Sequence, residues 1–537
     1  MIFYHKTKRR LQYLLNSNSS VPSSGGTGEG EDIMGAITPF AILLFFLCLF
    51  YIYRRRNCSS RLPTGPFAWP LIGNLHQLGK LPHRSLEELA KKYGPIMSLQ
   101  LGYFPAIVVS SPEMAKEFLK NHDLAFASRS PSAAGKYLAY NYKGLALAPY
   151  GAYWRLVRRI CVTELLSAKR LESFRFVREE EVSAAISSIW ENSRHGAVAV
   201  NVSKALTSLT SAIIWRILAG TKFSDEDLVG REKEFRAMVH EVTGTIAAIN
   251  IGDFIPYIDW MDLQGIKKRM KNAHAFFDAV MQKIIDEHVN LRQSQTAAVK
   301  DILDVLLEMA ESGDMTITDI KSIIFVLFIA GLETTATSLE WSMSEMVRNP
   351  HIAKKLQQEI ESVVGKDRPV RESDLGGMEY LQCVIKESLR LYPPGPLLLP
   401  HESTETCIVG AQRFVIPKKT RLVVNVWAIG RDPAIWKDPL TFKPERFMGK
   451  DIDIKGRDFE MLPFGSGRRG CPGAAMALGT MELALAQLMH CFDWRSEGDP
   501  AKLNMTEAFG TSLNRKESLF AIPSLRMQAG TQMFPTG

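Results

Sequence analysis

Phe464-Gly465-Ser466-Gly467-Arg468-Arg469-Gly470-Cys471-Pro472-Gly473 is the stretch that decides the reading of this chain. A single cysteine sits in a glycine-rich loop, and an apolar, alanine-rich run from Ala474 to Leu488 follows with helical character. Glycines let a backbone bend sharply and come close to a flat cofactor. Backbone N–H groups in such a loop can point at the sulfur and tune it. The positive end of the following helix favours the ionised thiol. These residue types suit a single thiolate held against a metal from a turn. A structural cysteine after a glycine turn is the plainer alternative. The fixed pattern of Phe464, Gly467, Arg469, Cys471 and Gly473 weighs against it.

A second signal lies upstream, in a helical run from Asp319 to Asn349 that contains Ala330-Gly331-Leu332-Glu333-Thr334-Thr335. An acid and two threonines inside an apolar helix are costly unless satisfied or used. Gly331 would make room for a ligand beside the helix. A hydroxyl at Thr334 can hydrogen-bond dioxygen, and Glu333 can relay protons to it. Splitting an O–O bond needs two protons, so a hydroxyl next to a carboxylate is apt chemistry. The alternative is a helix bend with the threonines bonded back to carbonyls one turn earlier.

Supporting charges follow. Glu387 and Arg390 are spaced i, i+3 on one helix face. Phe442-Lys443-Pro444-Glu445-Arg446-Phe447 brings Arg446, which could join them in a buried charge-assisted network with a structural role. Trp154 and Arg158 lie one helical turn apart, Arg469 two residues before Cys471, and His401 just after Leu397-Leu398-Leu399-Pro400. These are cationic or polar groups of the kind an acidic cofactor needs.

The chain has 537 residues, 46% of them hydrophobic, which is ample for a deep core. No linker or internal repeat interrupts residues 62–525, so one large domain is expected. Net charge is +8, and the basic residues are spread along the chain. That distribution speaks against nucleic-acid binding and for a basic surface facing an acidic partner or anionic lipid. The seven cysteines, Cys48, Cys58, Cys161, Cys383, Cys407, Cys471 and Cys491, form no C-x-x-C pair, which points to a reducing compartment.

Ile33 to Tyr53 carries no charged residue. As a helix it would span roughly 31 Å, about the hydrocarbon thickness of a bilayer. Acidic residues precede it and Arg54-Arg55-Arg56 follow, so the C-terminal side is expected in the cytosol. Residues 1–33 read as a polar leader, with Met34 as an alternative start. Residues 34–53 are the expected transmembrane anchor, and 54–75 a basic and proline-rich hinge. Residues 76–525 form the catalytic domain, and 526–537 a tail.

Within that domain Met97 to Ser110 reads as a β-hairpin. Helical periodicity marks Ser111–Lys120, Trp154–Leu166, Ala168–Ser193, Asp227–Ile249, Gly265–Arg292, Asp319–Asn349, His351–Val364, Met378–Leu391 and Met476–Cys491. Strands are expected at Cys407–Ile416 and Arg421–Ala428. The class is mostly α with small β-sheets. Gly252 to Met261 is an aromatic loop that either dips into a membrane or packs in the core.

Taken together, these residues resemble the cytochrome P450 superfamily from 62 to 525. The proline-rich hinge, W-x-x-x-R, A-G-x-E-T-T, E-x-x-R, P-E-R-F and F-x-x-G-x-R-x-C-x-G occur in the expected order. Ala148-Pro149-Tyr150-Gly151-Ala152-Tyr153-Trp154-Arg155 and Glu507-Ala508-Phe509-Gly510 are similar to plant microsomal A-type members. The resemblance implies a single-domain cytochrome P450 fold behind an N-terminal transmembrane helix on the endoplasmic reticulum. It implies haem b with Cys471 as axial ligand, Trp154, Arg158, His401, Phe464, Arg469 and Gly473 around the haem, and NADPH-derived electrons from a cytochrome P450 reductase. Of the haem ligands, a cysteine thiolate is the one that favours O–O cleavage.

The resemblance also implies a pocket formed by Ala133–Leu145, Val242–Ile249, Phe325–Thr334, Leu397–Leu399 and Thr511–Leu513, with Leu145, Phe325, Ala330, Leu397, Leu398 and Leu513 among its lining. These stretches carry almost no fixed charge. The expected activity is therefore hydroxylation of a small apolar plant metabolite, terpenoid or phenylpropanoid/flavonoid. A haem-thiolate isomerase or dehydratase that does not use O2, or a non-enzymatic membrane haem protein, are the alternatives. The Glu333-Thr334 pair argues against both.

Overall fold

A computed structural model describes residues 61–220, 239, 241–246, 248–292 and 300–526. The leader, the span Ile33–Tyr53, the arginine run 54–56, much of the expected helix 227–249 and all but the first residue of the tail lie outside the described residues.

The longest element is a helix, Ile317–Arg348, and the domain is built around it. Thr316 caps it and Asp319 closes a reciprocal capping box, so its first-turn N–H groups are satisfied. It is long and apolar enough to cross a membrane, yet 67% of its most apolar window is buried inside the protein, which makes it a core helix. The longer helices, in chain order, are α1 Pro82–Tyr93, α2 Ala152–Ile160, α3 Arg175–Asn192, α4 Val202–Ala219, α5 Ile266–Arg292, α6 Ile302–Glu311, α7 Ile317–Arg348, α8 Pro350–Val364, α9 Glu379–Leu391 and α10 Ala474–Cys491. Helix α7 packs on α4, α9 and α10, and α10 in turn on α3. Their buried side chains form the main core.

The β structure lies to one side in small pieces: β1 Ile96–Leu101, β2 Phe104–Val109, β3 Val200–Asn201, β4 His401–Glu402, β5 Cys407–Val409, β6 Phe414–Ile416, β7 Arg421–Val424, β8 Phe492–Arg495, β9 Glu507–Phe509, β10 Leu513–Arg515 and β11 Phe520–Leu525. The largest sheet runs β1-β2-β7-β4, with β2 parallel to β7 from Ala106↔Arg421 to Val109↔Val424. Strands β9 and β10 form a separate hairpin, and β11 pairs with both β3 and β8. The mostly α class with small sheets is what the structure has.

Several elements depart from the sequence reading. Cys407–Ile416 is two strands, β5 and β6, turned at Gly410 with φ +68°. Strand β7 stops at Val424, and Val426–Ile429 is a helical turn. Helix α4 went unread: it is buried on most sides, so no apolar stripe stands out, and its Ser, Thr and β-branched residues are weak helix formers. Gly331 does not face a ligand space. A Cβ there would lie 2.5 Å from Ile214 on α4, so the glycine lets the two helices close on each other.

Candidate active site

The cysteine loop is shaped by two left-handed glycines. Gly465 and Gly467 both have φ +68°. At Gly467 a side chain would also strike the Leu119 carbonyl, 2.4 Å away. The turn closes with the Cys471 N–H donating to the Phe464 carbonyl at 2.9 Å, and Gly473 caps α10 immediately afterwards. Cys161, Cys383, Cys407 and Cys491 are buried, whereas Cys471 is exposed. Protein crowds its sulfur all the same. That burial pushes the thiol up, while the Gly473 N–H and the Arg158 charge pull it down. A thiol both accessible and hemmed in faces an interior space.

Helix α2 docks beside this loop. Arg158 donates to the Gly470 carbonyl at 2.7 Å. Arg469 forks onto three carbonyls, Ala127 at 2.6 Å, Ala148 at 2.6 Å and Leu145 at 3.2 Å. Trp154, one turn before Arg158, directs its indole N–H to the same Leu145 carbonyl at 3.0 Å. His401, on β4, is bonded through Nδ1 to the Phe126 carbonyl at 2.8 Å. Burial and the neighbouring Arg129 hold it well below its ordinary pKa, so it is neutral, with Nδ1–H donating.

Arg129 was missed by the sequence reading. It bonds the carbonyls of Leu399 at 2.5 Å and Pro400 at 3.0 Å. Burial, with Arg469 beside it, lowers it to about 9. Burial, with Arg158 beside it, lowers Arg469 to about 10. The available signal was a lone arginine two residues after the apolar run Leu124-Ala125-Phe126-Ala127.

Helix α7 supplies the polar pair. The Thr334 hydroxyl donates to the Ala330 carbonyl at 2.7 Å, the back-bond of a helical threonine. Glu333 accepts from the Asn514 amide at 3.0 Å. Ala330 is exposed although α7 is a core helix, so this turn borders an interior space. Phe325 packs edge-on against Phe277 on α5 with ring centroids 4.9 Å apart. Leu145 and Leu513 are buried, Leu513 against Trp427 and Ala428. Leu397 packs beside the β1–β2 core, while Leu398 takes φ +52° and lies 3.7 Å from where a Gly465 Cβ would stand.

Glu387, Arg390 and Arg446 meet. Arg390 grips Glu387 with two bonds of 2.7 and 2.8 Å, and both side chains are fully buried. Arg446 adds a third at 3.0 Å. Arg390 also bonds the carbonyls of Gly430 at 2.5 Å and Pro439 at 2.8 Å, tying α9 to the segment that leads toward Cys471.

Among the described residues no carboxylate forms an ion pair with Arg129, Arg158 or Arg469. Three crowded guanidiniums without an acid need an anion from elsewhere. A haem brings two carboxylates on a flat apolar ring, and Cys471 offers the axial sulfur, so the residues present fit a haem and the class they define is that of haem-thiolate proteins. The cytochrome P450 family model matches residues 63–520, and the chain belongs to that family. Cytochrome P450 750A1 of Pinus taeda is 54% identical over 508 residues, covering 92% of this chain and 96% of the relative. The flavonoid 3'-monooxygenase of Arabidopsis thaliana is 42% identical, covering 91% and 96%, and the strychnine-11-hydroxylase of Strychnos nux-vomica 43%, covering 90% and 97%. A solved zebra fish cytochrome P450 with progesterone superposes with a TM-score of 0.70 at 26% identity, covering 83% of this chain and 99% of that one. The protein is a plant-type cytochrome P450 monooxygenase, an oxidoreductase that works through haem iron.

Proposed function

We propose that this chain hydroxylates a small, neutral, ring-built plant metabolite of the phenylpropanoid/flavonoid class while attached to the endoplasmic reticulum membrane with its domain in the cytosol. The observation that carries the reading is the character of the exposed turn of α7. Ala330 is exposed on an otherwise apolar helix, with Val326 and Leu327 half-buried one turn before it and the acid–alcohol pair Glu333 and Thr334 half-buried one turn after it. Glu333 is the one charged residue between Ala330 and Thr335, so an anionic substrate would meet no partner on this turn, whereas a flat neutral skeleton would be desolvated at little cost. Relatives named as flavonoid 3'-monooxygenases and a strychnine hydroxylase support a polycyclic substrate over an acyclic one.

Haem bound through Cys471 would supply dioxygen activation, inserting one oxygen atom into a C–H bond while the other leaves as water. Arg129, Arg158 and Arg469 would hold its propionates, with Trp154 and His401 fixing the walls around them. Phe464 and Gly473 would frame the sulfur, and the Gly473 N–H would temper its charge. Thr334 and Glu333 would move the two protons that the departing water needs. The Thr334 hydroxyl would exchange its bond to the Ala330 carbonyl for one to the substrate oxygen.

Electrons would come from NADPH through a cytochrome P450 reductase. Arg155 and Arg159 support this: both are exposed on α2, whose Arg158 holds the cysteine loop, so they offer an acidic partner a basic surface beside the thiolate. Membrane contact beyond the expected anchor is supported by an aromatic patch. Trp260 is 78% and Tyr257 72% exposed, beside Leu263, Tyr103, Trp69 and Leu71. The Tyr103 and Tyr257 rings touch at 6.0 Å, and Gly102 N–H bonds the Ile72 carbonyl, so these segments share one face.

The deciding experiment is NADPH consumption and product analysis with a panel of flavonoids, other phenylpropanoids, terpenoids and alkaloids, alongside Cys471→Ala. Turnover of a flavonoid, lost together with the thiolate-type carbon monoxide spectrum in Cys471→Ala, is expected. Product formation confined to terpenoids would overturn the substrate class. An unchanged spectrum in Cys471→Ala would overturn the ligand.

A further inference from the structure

Strand β10 runs along one face of α7, and the contacts between them are regularly spaced. The Trp341 indole donates to the Leu513 carbonyl at 2.7 Å. The Thr337 hydroxyl donates to Asn514 Oδ1 at 2.5 Å. Asn514 Nδ2 donates to Glu333 Oε1 at 3.0 Å. Residues 333, 337 and 341 recur every fourth position, which is one face of a helix. Asn514 therefore bridges two consecutive turns of α7, and one of its two partners is the acid of the acid–alcohol pair.

The bridge has only one workable polarity. An ionised carboxylate can only accept, so the amide nitrogen must face Glu333. The amide oxygen must then face Thr337, whose hydroxyl can donate to it. Thr337 is buried and fixed on the helix, so it locks the amide against rotation. The strand that carries Asn514 is equally fixed. Asn514 is opposite Ala508 in the β9–β10 pair, and Glu507 on β9 is gripped by His83 at 3.0 Å, Arg84 at 2.7 Å and the Trp427 indole at 3.0 Å. The donor that meets Glu333 is thus held from two directions.

We infer that Asn514 is a positioning residue for proton delivery: with Thr337 it clamps the Glu333 carboxylate to one orientation on α7, so that the acid stays beside Thr334. This rests on the proposed relay role of Glu333. A carboxylate that loses such a donor samples more rotamers, and each one that leaves the relay lets reducing equivalents escape as peroxide.

The test uses the full-length, haem-loaded enzyme with an accepted substrate and compares Asn514→Leu, Asn514→Asp and Thr337→Val with the parent, each also in a Glu333→Gln background. Asn514→Asp keeps the shape and the acceptor for Thr337 but turns the donor into a second carboxylate, whereas Asn514→Leu removes donor and acceptor together, so the two separate loss of the donor from loss of the whole bridge. Product per NADPH is expected to fall roughly 10-fold in Asn514→Leu and Asn514→Asp, the low end of what losing an outer-shell partner costs a site. Peroxide should rise in step, with haem content and substrate affinity unchanged. Thr337→Val should show a smaller loss in the same direction. Added to Glu333→Gln, none of the three should lower coupling further. A crystal structure of Asn514→Asp should show the Glu333 carboxylate turned away from residue 514. If Glu333→Gln itself leaves coupling intact, the relay role falls. If Glu333→Gln uncouples but Asn514→Asp, fully loaded with haem, couples like the parent or keeps Glu333 in place, the positioning role falls.

Discussion

The guanidinium of Arg469 lies over the indole of Trp154, 4.3 Å from the ring centroid, and both side chains donate to the carbonyl of Leu145. Arg469 is two residues from Cys471, and Trp154 is the first buried residue of α2. The stack and the shared carbonyl therefore bolt the cysteine loop to the helix beside it.

Arg469→Lys keeps the charge but loses the planar stack and the three-carbonyl fork. A cation–π contact desolvated to this degree is worth about 2 kcal/mol. The thermal midpoint of the haem-loaded protein should drop, and haem should be lost faster to an acceptor protein. Trp154→Leu should do the same, and the double variant should be little worse than either single one. Fully additive effects would mean the two residues act apart.

Thr334→Ala should leave haem content and substrate binding intact while diverting NADPH into peroxide. Product formation should fall of order 10²-fold, the low end for a positioned proton donor. Coupling equal to the parent's would show that the Thr334 hydroxyl never leaves the Ala330 carbonyl.

Removing Arg390 takes two charge-assisted bonds from a carboxylate with no exposed surface and leaves it the Arg446 bond and the Lys443 N–H, which costs roughly 3 kcal/mol, the low end for breaking a buried pair. Arg390→Ala should yield little folded, haem-loaded protein. Arg446→Ala should be milder, because Glu387 keeps both Arg390 bonds and the Lys443 N–H at 2.8 Å. The comparison is read from soluble yield and haem per chain. A fully loaded but inactive Arg390→Ala protein would contradict the structural role.

Glu507 carries a pH dependence whose sign can be worked out. Burial alone would raise its pKa, but the bonds from His83 and Arg84 and the Arg431 charge bring it down from the ordinary 4.5 to about 2. A depressed carboxylate stabilises the fold above its unfolded pKa and loses that contribution as pH falls through the folded value. At 1.36 kcal/mol per unit, Glu507 contributes roughly 3 kcal/mol at neutral pH. Glu507→Gln should lower the urea midpoint at pH 7, and the gap to the parent should narrow between pH 4.5 and about 2. A gap independent of pH would rule the network out as its source.

Deletion of residues 1–56 should release much, but not all, of the protein from lipid vesicles. The remainder should detach on further replacement of Tyr257 and Trp260 by serine, measured by vesicle sedimentation at low and high salt. Retention unaffected by the two serines would assign the residual binding to another face.

The family and the mostly helical class are legible in the residues alone, because a thiolate loop, an acid–alcohol turn and the Glu387–Arg390 pair each need particular residue types at short, fixed spacings. Those are local constraints, and a chain displays them in order. It also displayed the helices with one buried face, such as Pro350–Val364, whose buried Ile352, Leu356, Ile360 and Val364 recur every fourth residue, because burial on one side leaves a periodic trace. The tertiary structure alone decided whatever depends on which distant segments meet. Arg129 reaches the carbonyls of Leu399 and Pro400 across 270 residues, and no spacing rule marks it. Gly331 faces Ile214 rather than a ligand, which only the close packing of two buried helices could set. Asn514 reaches Glu333 because β10 is laid along α7, and hydrogen bonds between elements far apart in the chain leave no period in the sequence. Helix α4 stayed hidden because ten of its eighteen residues are buried, and its exposed edge at Lys204 and Thr207 is too narrow to set off an apolar stripe.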